Sequence, residues 1–325
     1  MGIKITATGH YLPPQVVSND DLAKFLDTSD EWIKKRTGIS QRHISAGENT
    51  SDLAAKAAEN ILRKRGISGE EIDFIILATM TPDASSPSTA CIVQEKIGAT
   101  KAFCFDINAA CSGFVFALST ACHFMRSGMY KKGLVLGAET MSKVINWEDR
   151  STAVLFGDGA GGLLLEESDV DSFVAEDLHS DGSRFMALTA DEKKVQNPFL
   201  SNEQNEDKQY LKMDGRGIFD FVIRSVPKTI NQSIENGGLE KDDISWVVAH
   251  QANIRLLEAI SKKVKIPLSK FATNIESTGN TSAASIPVLL SHMVDSKQID
   301  IGSGEKLLFT GFGGGLTWGS IIITI

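Results

Sequence analysis

Residues 66–76 read GISGEEIDFII, and residues 238–248 read GLEKDDISWVV. The two stretches share one frame: Gly, an aliphatic residue, two linker residues, two acids, Ile, Asp or Ser, an aromatic residue and two β-branched residues. Their offset is 238 − 66 = 172 residues. In each case an amphipathic pattern typical of a helix comes first, at 52–65 and 218–236, and a short apolar strand pattern follows. The chain therefore contains a helix, turn and strand unit twice.

The repeat continues downstream in the same order, which favours a duplicated unit over coincidence. Strands that alternate with helices of this length predict mostly parallel α/β sheets, and the repeat predicts two such units packed face to face. The later segments align Gly137 with Gly311, at an offset of 311 − 137 = 174. The matched pairs are GLVLGAE (133–139) with LLFTGFGGG (307–315), and DGAGGLLLEE (158–167) with LTWGSIIITI (316–325).

The boundary between the two halves is predicted near Asp169 to Ser172. We therefore expect an N-terminal half, residues 1–170, with a candidate nucleophilic cysteine, and a C-terminal half, residues 171–325, with a candidate His and Asn. The stretch 191–212 is polar, charged and without periodicity, which favours a surface loop. A lid over the substrate entrance is the alternative interpretation of that stretch.

The composition limits the classes of function. The 325 residues carry 33 Lys and Arg against 41 Asp and Glu, a formal charge of −8 and a pI near 5.4. This balance provides no general attraction for nucleic acid or an anionic membrane. The four cysteines form no CxxC pair, which disfavours a zinc site or a disulfide framework. No run approaches roughly 18 apolar residues, and no secretory segment is visible, so we expect a cytoplasmic protein without a membrane segment.

Cys111 lies in FDINAACSGFVFALSTACHFM (105–125), where a short strand pattern gives way to an apolar helix that starts near Ser112. A thiol at a helix N-terminus is exposed to the positive end of the dipole, which favours thiolate and lowers the pKa from about 8.5. The small neighbours Ala109, Ala110 and Gly113 leave room for a substrate, so we interpret Cys111 as a nucleophile. The other cysteines are interpreted as small buried hydrophobes: Cys91, Cys104 and Cys122.

His250 closes the predicted strand ISWVVAH (244–250), at the edge where α/β sheets bind ligands. A histidine in this place can also be simply hydrogen-bonded. Asn280, in STGNTSAAS (277–285), precedes the second duplicated helix. Its place is comparable to that of Cys111, at an offset of 280 − 111 = 169, so pseudo-two-fold symmetry would bring the two loops together.

The glycine run GFGGG (311–315) follows the strand pattern KLLFT and permits a close backbone approach. A phosphate-binding loop is disfavoured because no GK[ST] follows. We favour the interpretation that a backbone N–H group of this glycine run points into the pocket around Cys111.

Four motifs stand in a fixed order along the chain: DEWIKKRTGI (30–39), NAACSGF (108–114), HQAN (250–253) with GNTSAAS (279–285), and GFGGGLTWGS (311–320). Together they resemble the thiolase-superfamily condensing enzymes, specifically the β-ketoacyl-[acyl-carrier-protein] synthase III family. The resemblance runs from the first strand to the last residue. It implies a five-layered αβαβα thiolase-like fold, a catalytic triad of Cys111, His250 and Asn280, and an oxyanion hole made by the backbone N–H groups of Cys111 and Gly314.

The resemblance also implies the reaction. Cys111 would take a short acyl group from acyl-CoA, and His250 with Asn280 would stabilise the enolate formed when malonyl-acyl carrier protein loses CO₂. The acyltransferase would produce 3-oxoacyl-acyl carrier protein and start type II fatty-acid synthesis. No metal or other cofactor is expected, since acyl-CoA is a substrate.

Further residues match family positions for substrate binding. The CoA-binding positions are Thr28, Trp32, Arg36, Arg150 and Asn253. Without the motif, Trp32 is interpreted as a half-buried aromatic residue on an amphipathic helix. The segment 250–270 carries five basic residues and one acid, a local charge of 5 − 1 = +4 with His neutral. We expect Arg255, Lys262 and Lys263 to dock the acidic acyl carrier protein, while a solvated helix face is the alternative.

Ser86 precedes Pro87, where some family members carry a bulky aromatic residue that shortens the acyl pocket of the partner subunit. The smaller side chain predicts tolerance of branched or longer primers. The family implies a homodimer with the segment 86–98 near the interface. The rivals are a hydroxymethylglutaryl-CoA synthase, which should carry a catalytic Glu near the cysteine, a secondary-metabolite ketosynthase, and a non-catalytic acyl-binding protein on the same fold.

Overall fold

Two mixed β-sheets form the framework of the protein. A computed structural model describes residues 2–190, 195, 197–199 and 210–325. Numbered along the chain, the strands of the first sheet lie in the order β1 (Gly2–Tyr11), β7 (Gly159–Ser168), β6 (Lys132–Glu139), β4 (Phe74–Ala78) and β5 (Phe103–Ile107). All of these except β7 run in the same direction, so the sheet is mostly parallel as the sequence predicts.

The second sheet repeats the topology of the first. Its strands lie in the order β8 (Phe173–Ser180), β13 (Thr317–Thr324), β12 (Lys306–Gly313) and β11 (Ile244–Ala249). They take the places of β1, β7, β6 and β4, with the same parallel and antiparallel pairings. A single parallel bridge between Val247 and Phe271 stands where the first sheet has β5. The two sheets therefore come from the two halves of the chain, although the division at residue 170 remains a prediction.

Two small ribbons complete the strands, and helices fill the other layers. The ribbons pair β2 (Val16–Ser18) with β3 (Gln41–His43), and β9 (Leu188–Thr189) with β10 (Lys212–Met213). The helices are α1 (Asn19–Leu22), α2 (Asp30–Thr37), α3 (Thr50–Arg65), α4 (Thr89–Lys96), α5 (Gly113–Arg126), α6 (Arg150–Ala153), α7 (Gly215–Asn236), α8 (Ile254–Val264), α9 (Ile275–Thr278) and α10 (Ser285–Asp295). Among the helices of the described residues, none is both long and apolar enough to cross a bilayer.

Alternating side chains on the strands build three layers of core. On β4, Ile75 and Leu77 pack with the outer helices α3 and α4, whereas Ile76 packs with the central helices α5 and α10. On β12, Leu307 joins the central helices and Leu308 packs with α7 and α8. Each such fully buried aliphatic side chain contributes about 1.5–3 kcal/mol. The resulting order of helices, sheet, helices, sheet and helices confirms the predicted five-layered αβαβα fold.

The two halves pack closely against each other at Gly137 and Gly311, the two glycines that the repeat aligns. A Cβ atom on Gly137 of β6 would lie 2.5 Å from the carbonyl oxygen of Ala283, in the turn before α10. A Cβ atom on Gly311 of β12 would lie 2.9 Å from the Cα of Ser112, in the turn before α5. In each half, the turn that begins the central helix therefore packs closely against a glycine in the sheet of the other half.

Replacing Gly137 with Ala should destabilise the protein, because the new methyl group would lie 2.5 Å from the oxygen and 3.1 Å from the carbon of the Ala283 carbonyl, both backbone atoms. We expect the free energy of unfolding in urea to fall by about 1–3 kcal/mol. Gly182→Ala is the matched control, since a Cβ there meets no atom within 4 Å. Equal stability of the two variants would contradict the tight contact between the halves.

Candidate active site

Cys111 lies where the sequence predicts, between a strand and a helix. It is in a single 3₁₀ turn, Ala110–Ser112, that joins the loop after β5 to α5. Only 5% of the residue is exposed. Its sulfur lies 3.4 Å from the hydroxyl oxygen of Ser282.

The environment of Cys111 disfavours thiolate in the resting protein. Burial raises the pKa of the thiol to about 12, and the negative charge of Glu139 acts in the same direction. The sequence-based prediction of a lowered pKa is therefore wrong for this site. Position at the helix N-terminus is visible in the sequence, whereas the removal of water around the sulfur depends on both halves of the fold.

Asn280 reaches the same place from the second half. Its Oδ1 accepts the backbone N–H of Ser282 at 2.9 Å, and Ser282 is the residue that contacts the Cys111 sulfur. Its Nδ2 makes no hydrogen bond to another described residue, which leaves this amide group available as a donor. The backbone of Asn280 is fixed on both sides, because its N–H donates to Leu155 O at 2.9 Å and its carbonyl accepts from Gly157 at 3.0 Å.

The expected equivalence of Asn280 and Cys111 needs a correction. Ala110 and Ser282 both have positive φ, 47° and 49°, and each begins a 3₁₀ turn just before a central helix. Their offset is 282 − 110 = 172, so the counterpart of Cys111 is Ala283. The prediction that Asn280 takes this place is wrong by three residues, because sequence similarity in this loop is too weak to set the register.

His250 follows β11 directly and is almost fully buried, with 2% of its surface exposed. Burial lowers the pKa of its imidazole to about 3, so the ring is neutral at physiological pH. Its Nδ1 lies 2.7 Å from the hydroxyl oxygen of Ser285, which also accepts the Gln251 N–H at 3.3 Å. That hydroxyl has its own proton to donate to Nδ1, an arrangement that favours the tautomer with the ring proton on Nε2.

The glycine run connects His250 to Cys111. The ring of Phe312 packs edge-on against the His250 ring, with 5.2 Å between the centroids. The next residue, Gly313, lies against the cysteine, since a Cβ there would be 2.8 Å from the Cys111 nitrogen. Gly314 then begins a short 3₁₀ turn. These contacts, with those of Ser282, bring Cys111, His250, Asn280 and Gly314 to one place.

A cavity of about 490 Å³ opens beside this group. Its lining combines the loop before Cys111, the glycine run and the ribbon strand β9. The lining residues are Met80, Asn108, Ala109, Ala110, Phe185, Met186, Leu188, Thr189, Ala190, Gly314, Gly315 and Thr317. Much of the predicted loop 191–212 lies outside the described residues; near its far end Leu211 is buried, and Lys212 begins β10.

Three of the predicted CoA-binding residues form one cluster. Trp32 on α2 is half-buried, with the guanidinium of Arg36 4.2 Å and that of Arg150 4.9 Å from its ring centroid. Asn253 is the N-cap of α8 and donates from Nδ2 to the Arg36 carbonyl at 3.0 Å. Arg150 also donates to the carbonyl of Asp27, the residue before Thr28. The hydroxyl oxygen of Thr28 is buried without a partner in the described part of the chain.

The predicted docking residues differ in their surroundings. Lys262 and Lys263 are exposed on α8, while Leu257, Ile260 and Val264 are buried, as the helical pattern predicts. Arg255 instead donates to the Lys35 carbonyl at 2.7 Å and joins α8 to α2.

Comparison with known proteins shows the family. The sequence profile described as 3-oxoacyl-[acyl-carrier-protein] synthase III matches residues 105–182, and the profile of its C-terminal region matches residues 234–325. A β-ketoacyl-[acyl-carrier-protein] synthase III of Streptococcus pneumoniae (strain Hungary19A-6) is 55% identical over 322 residues, 99% of each chain. The chain belongs to the β-ketoacyl-[acyl-carrier-protein] synthase III family.

Solved structures agree with this assignment to the synthase III family. The crystal structure of 3-oxoacyl-[acyl-carrier-protein] synthase III from Aquifex aeolicus VF5 matches with a TM-score of 0.92 and 42% identity, over 100% of both chains. The priming β-ketosynthase of the R1128 polyketide biosynthetic pathway matches with a TM-score of 0.93 and 31% identity, over 100% of this chain and 96% of that one. Both the predicted fold and the predicted family are confirmed.

Four residues of the candidate site are not predicted from the sequence. They are Ser282, which contacts Cys111, Ser285 and Phe312, which contact His250, and Glu139, which is linked to Cys111 through the Ser282 hydroxyl group. Glu139 ends an apolar strand pattern, so the rule that flagged His250 at a strand end could have found it. Ser86 is exposed in this single chain. Cys91 and Cys104 are half-buried with their sulfurs 3.3 Å apart, so the expectation of full burial holds for Cys122 only.

The neutral His250 should make the stability of this synthase III depend on pH. Between about pH 6.5 and pH 3 the unfolded imidazole binds a proton that the folded one does not, so unfolding becomes easier as the pH falls. His250→Gln removes this contribution, and its free energy of unfolding should fall less steeply on acidification, by about 1.4 kcal/mol per pH unit.

Urea titrations from pH 4 to pH 7 measure this difference, and His123→Gln, on the exposed side of α5, controls for the loss of one imidazole. Parallel curves for the wild-type protein and His250→Gln would mean that the buried ring is protonated in the folded state.

Proposed function

We propose that the protein starts fatty-acid chains. It transfers a short acyl group from acyl-CoA to Cys111 and condenses it with malonyl-acyl carrier protein to give 3-oxoacyl-acyl carrier protein, CO₂ and CoA. The observation that carries this proposal is the contact network that joins Cys111 to Asn280 through Ser282 and to His250 through the glycine run. Such a network positions a nucleophile between two neutral hydrogen-bond donors, which is the requirement for this chemistry.

In the first half-reaction, the Cys111 sulfur attacks the thioester carbon of acyl-CoA. The negative charge that develops on the carbonyl oxygen is stabilised by the backbone N–H groups of Cys111 and Gly314. The approach of Gly313 to the Cys111 nitrogen supports this assignment, because it puts the two backbone segments side by side. CoA leaves as its thiol, and the acyl group remains on sulfur.

In the second half-reaction, malonyl-acyl carrier protein loses CO₂ and forms an enolate. His250 Nε2 and Asn280 Nδ2 donate hydrogen bonds to the thioester oxygen as its charge grows. The neutral state of His250 and the unused Nδ2 of Asn280 among the described residues support these roles. The carbanion attacks the acyl-cysteine, and the loss of CO₂ drives the step, so the reaction needs no metal or redox cofactor.

CoA binds at the Trp32 cluster in this proposal. The adenine stacks on Trp32, and Arg36 and Arg150 make charge-assisted bonds to the phosphates. Both guanidinium groups already lie against the indole ring, which supports a shared binding surface. Thr28 and Asn253 contact the pantetheine portion, the latter from the N-terminus of α8.

Incubation with acyl-CoA should add the mass of the acyl group to Cys111. The acylated protein should condense only after malonyl-acyl carrier protein is supplied, because the enolate is the second nucleophile. Mass spectrometry of the cysteine peptide measures loading, and Cys111→Ala should take up no acyl group. Absence of loading in the wild-type protein would leave an acyl-binding role on the same fold as the better explanation.

The same experiment with straight and branched primers addresses Ser86. The small side chain should admit branched and longer acyl groups into the partner's pocket, and Ser86→Phe should narrow the range toward acetyl. A strict preference of the wild-type protein for acetyl-CoA would contradict this role of Ser86.

The acyl carrier protein docks on α8 in this proposal, at Arg255, Lys262 and Lys263. The carrier is acidic and so is this protein, so docking needs a local basic surface. The exposure of Lys262 and Lys263 supports a docking role for both lysines. Arg255 also fixes α8 to α2 through its hydrogen bond to the Lys35 carbonyl.

Reversing the charge of Lys262 should weaken docking. We expect Lys262→Glu to raise KM for malonyl-acyl carrier protein about five-fold and leave KM for acyl-CoA unchanged. High salt should reduce the difference by screening. Lys297→Glu is the matched control on another exposed lysine. An equal rise in KM for both variants would point to net charge and remove α8 from the docking surface.

The protein acts as a cytoplasmic homodimer in this proposal. β5 is the open edge of the first sheet, pairing with β4 alone among the described strands, and its first residue, Phe103, is 37% exposed. An open edge with exposed aromatic surface is suited to pairing with a second copy. The adjoining segment 86–98 would then lie near the interface.

The rivals are less well supported. A hydroxymethylglutaryl-CoA synthase was expected to carry a Glu near the cysteine, and Glu139 does come near Cys111, so this feature alone does not separate the two families. The 55% identity over 99% of the chain does separate them. The likeness to a polyketide priming ketosynthase is weaker in sequence, at 31% identity.

A further inference from the structure

A buried carboxyl group is linked to Cys111 through one intervening side chain, that of Ser282. Glu139, at the end of β6, has no exposed surface, and no salt bridge reaches it within the described residues. Its Oε1 accepts from the Ser282 hydroxyl at 3.1 Å, and that hydroxyl is 3.4 Å from the Cys111 sulfur. Three groups that exchange protons therefore form a continuous line from the nucleophile into the interior.

The other contacts of Glu139 are all with neutral donors. The hydroxyl groups of Thr79 and Thr81 and the backbone N–H groups of Met80 and Thr81 lie 2.6–3.2 Å from its oxygens. Burying a carboxyl group without a cation is costly, so its retention beside a nucleophile calls for a functional explanation. The equivalent position in the second half, Gly313, carries no side chain at all, so the architecture of the repeat does not require a carboxylate there.

The acyl transfer needs a temporary proton acceptor. The Cys111 thiol must lose its proton before or as it attacks, and the departing CoA sulfur must gain one. Burial makes spontaneous ionisation of the thiol unfavourable, and the charge of Glu139 adds to this effect. A carboxylate that accepts the proton becomes neutral, and so ceases to repel the thiolate that remains.

We propose that Glu139 is a positioning residue that accepts the Cys111 proton through Ser282. The thiol proton passes to the Ser282 oxygen as the Ser282 proton passes to Glu139 Oε1, and the thiolate attacks the acyl-CoA carbonyl. When the intermediate collapses, the C–S bond to CoA breaks, Glu139 returns its proton to the Ser282 oxygen, and the Ser282 hydroxyl proton passes to the departing CoA sulfur. Cys–SH and acyl-S-CoA thus become acyl-S-Cys and CoA–SH, with no change in total charge.

The ionisation of Glu139 suits this exchange. Burial raises the pKa of its carboxyl group to about 7, against the effect of its hydrogen bonds, so both states are accessible near neutral pH. The charged and titratable groups around it are Cys111 on one side and Lys143 in the turn after β6 on the other. The acids that face Lys143 are Asp52, Asp83 and Asp158.

Alkylation of Cys111 by iodoacetamide tests the proposal without any substrate. Its rate in the wild-type protein, followed by mass at the Cys111 peptide, should rise with pH through an inflection near 7. In Glu139→Gln and in Ser282→Ala the rate at pH 7 should fall about 100-fold and the inflection should disappear. Near pH 10 the variants should approach the wild-type rate, because hydroxide then removes the proton.

Controls separate the proton route from a structural effect. Asp158→Asn changes another buried carboxyl group, whose oxygens accept from Ser45 and Ser142 instead, and should keep the wild-type profile. Glu139→Asp should restore part of the rate at pH 7. Thermal unfolding of each variant reports on folding, and a misplaced cysteine would react slowly at every pH, which would overturn the proposal.

Acyl loading extends the test and rests on the proposed function. Glu139→Gln should load acyl groups about 100-fold more slowly, while the protein once loaded should condense with malonyl-acyl carrier protein at close to the wild-type rate. If the wild-type protein does not load, the proposed function fails, and alkylation still decides the role of Glu139. Wild-type alkylation profiles in both Glu139→Gln and Ser282→Ala would overturn the relay.

Discussion

The contact on which the rest of the structure depends is the reciprocal packing of the two halves at Gly137 and Gly311. Each glycine admits the turn that begins the other half's central helix, and a single methyl group at either position would collide with backbone. The turn at Gly311 carries Cys111, and the turn at Gly137 begins with Ser282. The same close approach that joins the halves therefore brings Cys111, the proposed nucleophile, and the Ser282 hydroxyl group together, so the stability and the proposed chemistry of the protein share one constraint.

This packing also excludes water, and the titratable groups of the site respond in a consistent way. Burial raises the pKa values of Cys111 and Glu139 and lowers that of His250, so each group is pushed toward its neutral form. A buried site of this kind disfavours permanently charged side chains, but its fixed hydrogen-bond donors can stabilise a negative charge that forms transiently on a substrate. Chemistry in which an oxyanion and an enolate appear and vanish is suited to it.

The sequence predicts the architecture well because architecture follows from periodic patterns. The repeat leads directly to two equivalent sheets, and the predicted helices at 52–65 and 218–236 begin within three residues of the observed ones. The place of Cys111 at a helix start and of His250 at a strand end follows from local rules. The pKa of Cys111 and the register of Asn280 against it could not be predicted, since both depend on how residues more than a hundred positions apart exclude water and pack.

The least predictable feature is the difference between two equivalent strand ends. β6 ends at Glu139 and β12 at Gly313, and each of these residues contacts the turn before the other half's central helix. Gly313 lets the backbone come close to Cys111, whereas Glu139 fills its space with a carboxyl group that reaches Ser282. The symmetry of the fold thus provides two equivalent strand ends, and the different residues at these ends give them different properties. In the proposed mechanism, the strand end at Gly313 shapes the space for an oxyanion, and the strand end at Glu139 provides the group that takes a proton.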